Sequence, residues 1–514
     1  MENNRSSWGS NIGFLLAAIG SAVGLGNIWG FPYKMGKSGG FTFLIVYLLL
    51  AVFVGLIIMV SELAVGRKTK LSPIDAYQQV SKKFKWLGWL ATIAPFMIMS
   101  FYSVLGGYCL QYVALNLSEL SFGSDLISVA GGDAFSAIRV NPFGAVVFTL
   151  FFMVICMVIV QGGVDSGIEK FNKVGMPALF IMLVIVIIKA LTMPQAVEGL
   201  KFMFVPGYAV AKGYIAEAPN VITVLGTAGG QMFFSLSLAM GAILTYGSYL
   251  SKEENLVKNS IIIVISDTLI AIMAGIAVIP AAVSTGLAQG QSPADIASGL
   301  GGPGLLFVTL QNVFSSMGKI GPLFGVIFYA LVLIAAISSA ISLMETVGAH
   351  WIDKDLQKGE TDTRQRIVLI VSLLILIEAV LVAADGLGKS SFTPAKLLGI
   401  QGAVPDVLAD WLDFMDTWSE YLLMPLGAML MSLMIGWEIG PKVVLDEVGH
   451  GNHSPFFAKF YTFCIRFVVP IVMAFVLAGS LNGNCGGSPI LWYILAGIAL
   501  AGFWIYAALK TKEE

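Results

Sequence analysis

A chain of 514 residues that is 57% hydrophobic and only 12% charged, with a mean hydropathy of +0.85, lies far from the soluble norm of roughly 45–50% apolar and about 25% charged, which argues against a soluble multi-domain enzyme. Lys and Arg number 29 against 31 Asp and Glu; with no basic excess to neutralise phosphates, nucleic acid is not an expected partner. Three His (His350, His450, His453) and four Cys (Cys109, Cys156, Cys464, Cys485) never approach the close spacings of a zinc site or a disulfide framework.

A helix that crosses a bilayer needs about 20 mostly apolar residues, because its backbone amides must be satisfied within the segment. Twelve runs meet that requirement, spans 1 to 12: 11–36, 40–65, 87–116, 143–161, 168–192, 220–250, 258–285, 320–352, 366–384, 417–437, 457–480 and 489–510. Span 1 has no small-x-small cleavage site and is broken by polar and Gly residues, so it is expected to stay in the mature chain rather than act as a cleaved signal. It holds Gly13, Gly20, Gly24, Gly26, Gly30 and Gly36 together with Asn27 and Pro32. Span 6 is similar, with Gly226, Gly229, Gly230, Gln231, Ser235, Ser237 and Gly241. Mid-span Gly weakens a helix by roughly 1 kcal/mol against Ala, so breaks are expected near Ala22–Gly26 and Ser237–Gly241.

Broken helices survive in a bilayer only where they line a cavity, and two of them five spans apart mark an inverted-repeat transporter. The expected fold is therefore an all-α integral membrane protein of twelve transmembrane helices, a five-plus-five inverted repeat with discontinuous helices 1 and 6. The expected division is 1–192 for the N-terminal segment and first repeat, 193–440 for the second, and 441–514 for spans 11 and 12 with the C-terminus. With the N-terminus inside, most of the 29 Lys and Arg fall on the inner side, as the positive-inside rule requires. A multi-pass protein of the inner (plasma) membrane with both termini cytoplasmic follows.

The stretches Gly20–Tyr33, Ser38–Gly40, Glu62–Arg67, Ser166–Pro177, Gly230–Tyr249 and Ile279–Val283 resemble, in the same order, the neurotransmitter:sodium symporter family. The likeness is greatest to its bacterial amino-acid transporter branch, that of the bacterial leucine transporter. The resemblance implies a sodium-coupled symporter, not an enzyme, that imports a neutral, hydrophobic amino acid by alternating access. Two sodium ions are expected. One takes oxygens of Ala22, Asn27, Ser235 and either Ser266 or Asp267, with the substrate carboxylate. The other takes the Gly20, Val23 and Ala335 carbonyls and the Ser338 and Ser339 hydroxyls. Sodium, a hard cation, suits such all-oxygen shells.

By the same resemblance the substrate carboxylate meets the amides of Leu25 and Gly26 and the hydroxyl of Tyr102, since helix ends at a break carry partial positive charge. Its amino group meets carbonyls of Ala22, Phe234 and Ser235. Ile98, Phe234, Ser237, Met240, Ser339 and Leu343 form the side-chain pocket, with Phe234 as lid. Gly24 supports a substrate bearing its own carboxylate, because monoamine transporters of the family carry Asp there. The inner gate reads as Arg5 against Asp353, with Trp8, Ser248 and Tyr249 beneath it. Gly167 and Pro177 allow the cytoplasmic part of span 5 to unwind, because Pro removes an amide and Gly weakens the turn. The outer gate reads as Asp416 without its cation, since Gly30 stands where relatives carry Arg.

Chloride is expected not to be required: Ile270 replaces a chloride-binding Ser, and Asp267 can supply the negative charge, an intramembrane carboxylate marking function by default. The expected partners are an amino-acid substrate and the lipid bilayer, the chain being a monomer or weak homo-oligomer. Competing readings are transport of another small carboxylate-bearing solute and a conductive channel. The lack of a repeated filter loop argues against the channel, and the lack of HExxH argues against a membrane enzyme.

Overall fold

The computed structural model describes residues 7–123, 129, 132–360, 363–390, 392–400, 402, 404–449, 454–485 and 489–510. Every regular element among them is helical. Among the described residues, nine helices are long and apolar enough to cross a membrane, from Phe143–Gln161 at 19 residues to Lys82–Phe122 at 41. A tenth is the pair Asn11–Ala22 and Gly26–Lys37, bent by 46°, which is span 1. The other two sequence runs carry shorter apolar helices: Val221–Ser235 followed by Ala242–Ser248 for span 6, and Leu491–Ala507 for span 12.

Helix ends lie beyond the apolar runs, most of all in span 3, which was expected over 87–116 and extends over Lys82–Phe122. Backbone hydrogen bonding does not require apolar side chains. Ser118 and Ser121 instead return their hydroxyls to the Ala114 and Leu117 carbonyls, both at 2.8 Å, which suits serine inside a helix.

Spans 1, 2, 3 and 4 pack respectively against spans 6, 7, 8 and 9. Each pair is offset by five crossings, an odd number, so its members run in opposite directions, the relation an inverted repeat demands. Small residues allow the approach. A Cβ at Gly66 of span 2 would stand 2.1 Å from the Leu244 carbonyl oxygen of span 6, and one at Gly247 of span 6 would stand 2.8 Å from the Leu63 oxygen of span 2.

Both breaks fall where Gly and polar residues interrupt the apolar pattern. In span 1 the helix stops at Ala22 and resumes at Gly26 as a wide turn through Gly30. Side chains supply the hydrogen bonds that the helix no longer makes: Gly24 N donates to Asn27 Oδ1 at 3.0 Å and Leu25 N to Tyr102 Oη at 3.0 Å. In span 6, Ser237 and Ala239 hold φ at 52° and 59°, and Gly241 at 75°. Such left-handed backbone costs a non-glycine residue on the order of 1–3 kcal/mol. The buried Glu62 of span 2 holds it in place, its Oε1 accepting from Ala239 N at 2.8 Å.

Candidate functional site

The two breaks face each other within the bundle and enclose a small cavity. Of the eleven residues expected to bind substrate, Ala22, Gly26, Ile98, Tyr102, Phe234, Ser237, Met240, Ser339 and Leu343 line it together. Leu25 contributes through the amide that meets Tyr102, while the Ser235 hydroxyl is turned away toward Asp267. Gly24 also lines the cavity. A Cβ there would stand 2.3 Å from Ser339 Oγ and 2.5 Å from Tyr102 Oη, so no side chain fits between the two hydroxyls. Phe234 stays partly exposed, with its ring 6.3 Å from that of Tyr102 and its edge 2.7 Å from where a Cβ on Gly26 would be. Its ring thus forms part of the cavity wall.

Behind the first break lies a buried group around Asp267. This carboxylate accepts from Asn27 Nδ2 at 2.7 Å, from Ser235 Oγ at 2.9 Å and from Tyr47 Oη at 3.3 Å. Sequence reasoning left Ser266 and Asp267 open; Asp267 is fully buried against Asn27, whereas Ser266 is only half-buried. A buried carboxylate needs compensating charge or several donors. Three donors meet it here, and a cation among the same oxygens would be held by its charge. On the far side of span 1, Ser338 Oγ lies 2.9 Å from the Ala335 carbonyl and 3.4 Å from that of Val23, and Ser339 Oγ lies 3.4 Å from that of Gly20. The five oxygens expected to bind the second ion thus fall in two hydrogen-bonded groups, Ser338 with Ala335 and Val23, and Ser339 with Gly20.

At the N-terminal end of span 1 Trp8 is wedged among Phe14, Tyr246 and Tyr249 and donates from Nε1 to the Tyr246 carbonyl at 3.1 Å. Ser248 turns its hydroxyl back onto the Thr245 carbonyl. Asp353 accepts from Ser72 N at 2.8 Å; its expected partner Arg5 lies outside the described residues. Tyr249 donates to Glu345 at 2.7 Å, and Glu345 pairs with Arg364 at the start of span 9. That group was not expected from the sequence, although Glu345 inside an apolar run was the available signal. Span 5 is helical through both Gly167 and Pro177. Its Glu169 accepts from Gly9 N at 2.8 Å and Ser10 Oγ at 3.0 Å, and pairs with Lys173 at 2.7 Å.

At the other end of span 1, Gly30 itself carries no cation, and the space beside it is taken by Gln231, whose Oε1 would lie 2.7 Å from a Cβ there and would have to move aside for a larger residue. The cation stands one turn further along span 1 as Lys34, and it pairs with Glu420, one turn beyond Asp416 on span 10. Both side chains are buried, and the ammonium lies 5.3 Å from the centre of the Tyr421 ring.

Comparison with known proteins gives a consistent result. The model of the sodium:neurotransmitter symporter family matches residues 5–125 and 134–485. An uncharacterized sodium-dependent transporter of Bacillus subtilis is 33% identical over 479 residues, 92% of this chain and 97% of its own. One of Methanocaldococcus jannaschii is 28% identical over 521 residues, 99% and 98% of the two chains. Among solved structures, that of MhsT in complex with L-phenylalanine superposes with a TM-score of 0.77 at 32% identity, covering 93% of this chain and all of that one.

Proposed function

We propose a function from one premise: this chain belongs to the sodium:neurotransmitter symporter family. It is a sodium-dependent symporter that crosses the membrane many times, not an enzyme. Beyond that premise, its cargo is a neutral amino acid, imported by alternating access with two sodium ions. The observation that carries this reading is the cavity at the two facing breaks. Amides and the Tyr102 hydroxyl stand at one end of it, apolar walls at the other, and two oxygen-rich groups behind it. The likeness to a structure holding L-phenylalanine supports it.

In this reading Asn27, Ala22, Ser235 and Asp267 hold one ion with the substrate carboxylate, and Gly20, Val23, Ala335, Ser338 and Ser339 hold the other. Asp267 balances the charge, so chloride is not required. Lys34 and Glu420 close the outer side. The group of Trp8, Tyr249, Glu345 and Arg364 closes the inner side, with Arg5 and Asp353. Residues 1–192 and 193–440 act as the two repeats, 441–514 following, with both termini in the cytoplasm. The chain works as a monomer or a weak homo-oligomer.

Uptake of a labelled amino-acid mixture into proteoliposomes, with and without an inward sodium gradient, tests the reading. Accumulation only with the gradient is expected. Flux that ignores the gradient supports a conductive pore instead, and sodium-driven uptake of a carboxylate that is not an amino acid replaces the cargo.

A further inference from the structure

The cavity holds two serines whose hydroxyls each have an acceptor within the protein. Ser21 and Ser237 line the cavity, and Ser342 lies behind them; all three are buried. Ser237 Oγ donates to the Ser21 carbonyl at 2.8 Å. That carbonyl belongs to the last turn before the break, where the amide four residues on, Leu25 N, donates to Tyr102 instead. Were Ser237 to rotate, a buried carbonyl would lose this donor, which is unfavourable. Ser21 Oγ donates to Ser342 Oγ at 2.7 Å, with Ser237 Oγ further off at 3.2 Å, and Ser342 Oγ donates onward to the Ser339 carbonyl at 2.7 Å.

A hydroxyl has one proton and two lone pairs. With the protons spent inward, Ser21 and Ser237 present acceptor oxygens to whatever fills the space. The walls around them, Ile98, Phe234, Met240 and Leu343, present apolar surface, and no residue lining the cavity carries a charged side chain. An apolar side chain seated against these serines strips the acceptors of water and returns nothing, whereas an O–H or N–H donor satisfies them.

We propose that this site selects amino acids whose uncharged side chain sets a hydrogen-bond donor on an apolar body, over isosteres that lack the donor. Ser21 and Ser237 are the specificity-determining residues, and Ser342 positions the Ser21 proton. The inference rests on the amino-acid reading above.

The test is equilibrium binding of labelled L-threonine, L-valine, L-tyrosine and L-phenylalanine to the purified protein in saturating sodium. These form two isosteric pairs that differ in the hydroxyl. Expected is tighter binding of the hydroxyl member, by about ten- to a hundredfold in at least one pair. Ser21→Ala should shrink the gap to a few-fold. So should Ser342→Ala, which lies outside the cavity lining and leaves the Ser21 proton only the longer 3.2 Å acceptor at Ser237 Oγ, from which a substrate acceptor can draw it; a loss of packing alone would weaken both members of a pair equally. Valine and phenylalanine binding as tightly as their partners overturns the proposal. So does a gap that survives both substitutions in proteins that still bind sodium. Binding of none of the four while the labelled amino-acid mixture is still taken up with sodium overturns the proposal alone, and loss of both overturns the amino-acid reading, which separates the two failures.

Discussion

Replacing Lys34 by Met removes the cation of the outer ion pair while keeping the length of its apolar stem. Both partners are almost wholly enclosed, with side-chain exposures of 6% for Lys34 and 3% for Glu420, so solvent does little to screen what is lost. Taking one partner from a buried pair costs about 3–5 kcal/mol, chiefly because the remaining charge is left uncompensated. Here the stranded carboxylate would also have Asp416 one helical turn away on span 10. The cost falls on the closed arrangement, because in an open vestibule Glu420 is hydrated. At 1.4 kcal/mol per factor of ten, the equilibrium should move toward the outward-open form by about two to three and a half decades. A thiol introduced at Ser237 in a background lacking the native cysteines reports this as faster labelling by an impermeant reagent from outside, and sodium-driven uptake should fall in parallel. Adding Glu420→Gln should restore most of the native labelling rate, since removing both charges of a buried pair is close to neutral. Native labelling in Lys34→Met alone, or no recovery in the double variant, would refute the claim that this pair locks the outer side.

Asn27→Ala and Ser339→Ala should each abolish sodium-dependent substrate binding in a protein that still extracts as a monodisperse species, because an ion that loses one shell oxygen cannot recruit water in a dry site; unchanged sodium affinity in either variant removes that residue from its site. Tyr102→Phe should weaken amino-acid binding by roughly 1.5–3 kcal/mol, the worth of a hydrogen bond to a charged group, while leaving sodium binding without substrate intact; wild-type affinity puts the hydroxyl elsewhere. Native transport should be equal in chloride and gluconate, whereas Asp267→Asn should lose uptake and regain part of it in chloride, since sodium in a dry cavity needs a compensating anion. Collapse of native uptake without chloride would falsify that role.

Much of this was legible in the chain itself, for physical reasons. Span 1 and span 6 betray their breaks because Gly and polar residues at mid-membrane have no other place to be tolerated, and the breaks stand where Gly24 and Gly241 suggested. The residues lining the cavity followed from resemblance at the positions that match. What escaped notice were contacts between distant segments. Lys34 and Glu420 are 386 residues apart, and the family pattern directed attention to position 30, where Gln231 occupies the space. Glu62 looks like an ordinary costly carboxylate until Ala239 N is found against it. Ser21, a serine among small residues, carries no signal of its own in the sequence, and only the break gives its carbonyl and hydroxyl separate tasks.

Glu169 joins two parts of the molecule that have so far been described separately. It lies within the stretch between Gly167 and Pro177, and its two oxygens hold Gly9 N and Ser10 Oγ at the start of span 1, while Ser10 itself caps that helix through Gly13 N at 3.0 Å. Loosening of span 5 therefore withdraws the anchor of span 1 in the same movement, and swinging span 1 outward strips span 5 of the partners that keep its first turn in place. A single carboxylate shared by spans 1 and 5 ties their movements together, because neither can shift alone without forfeiting the hydrogen bonds they hold in common.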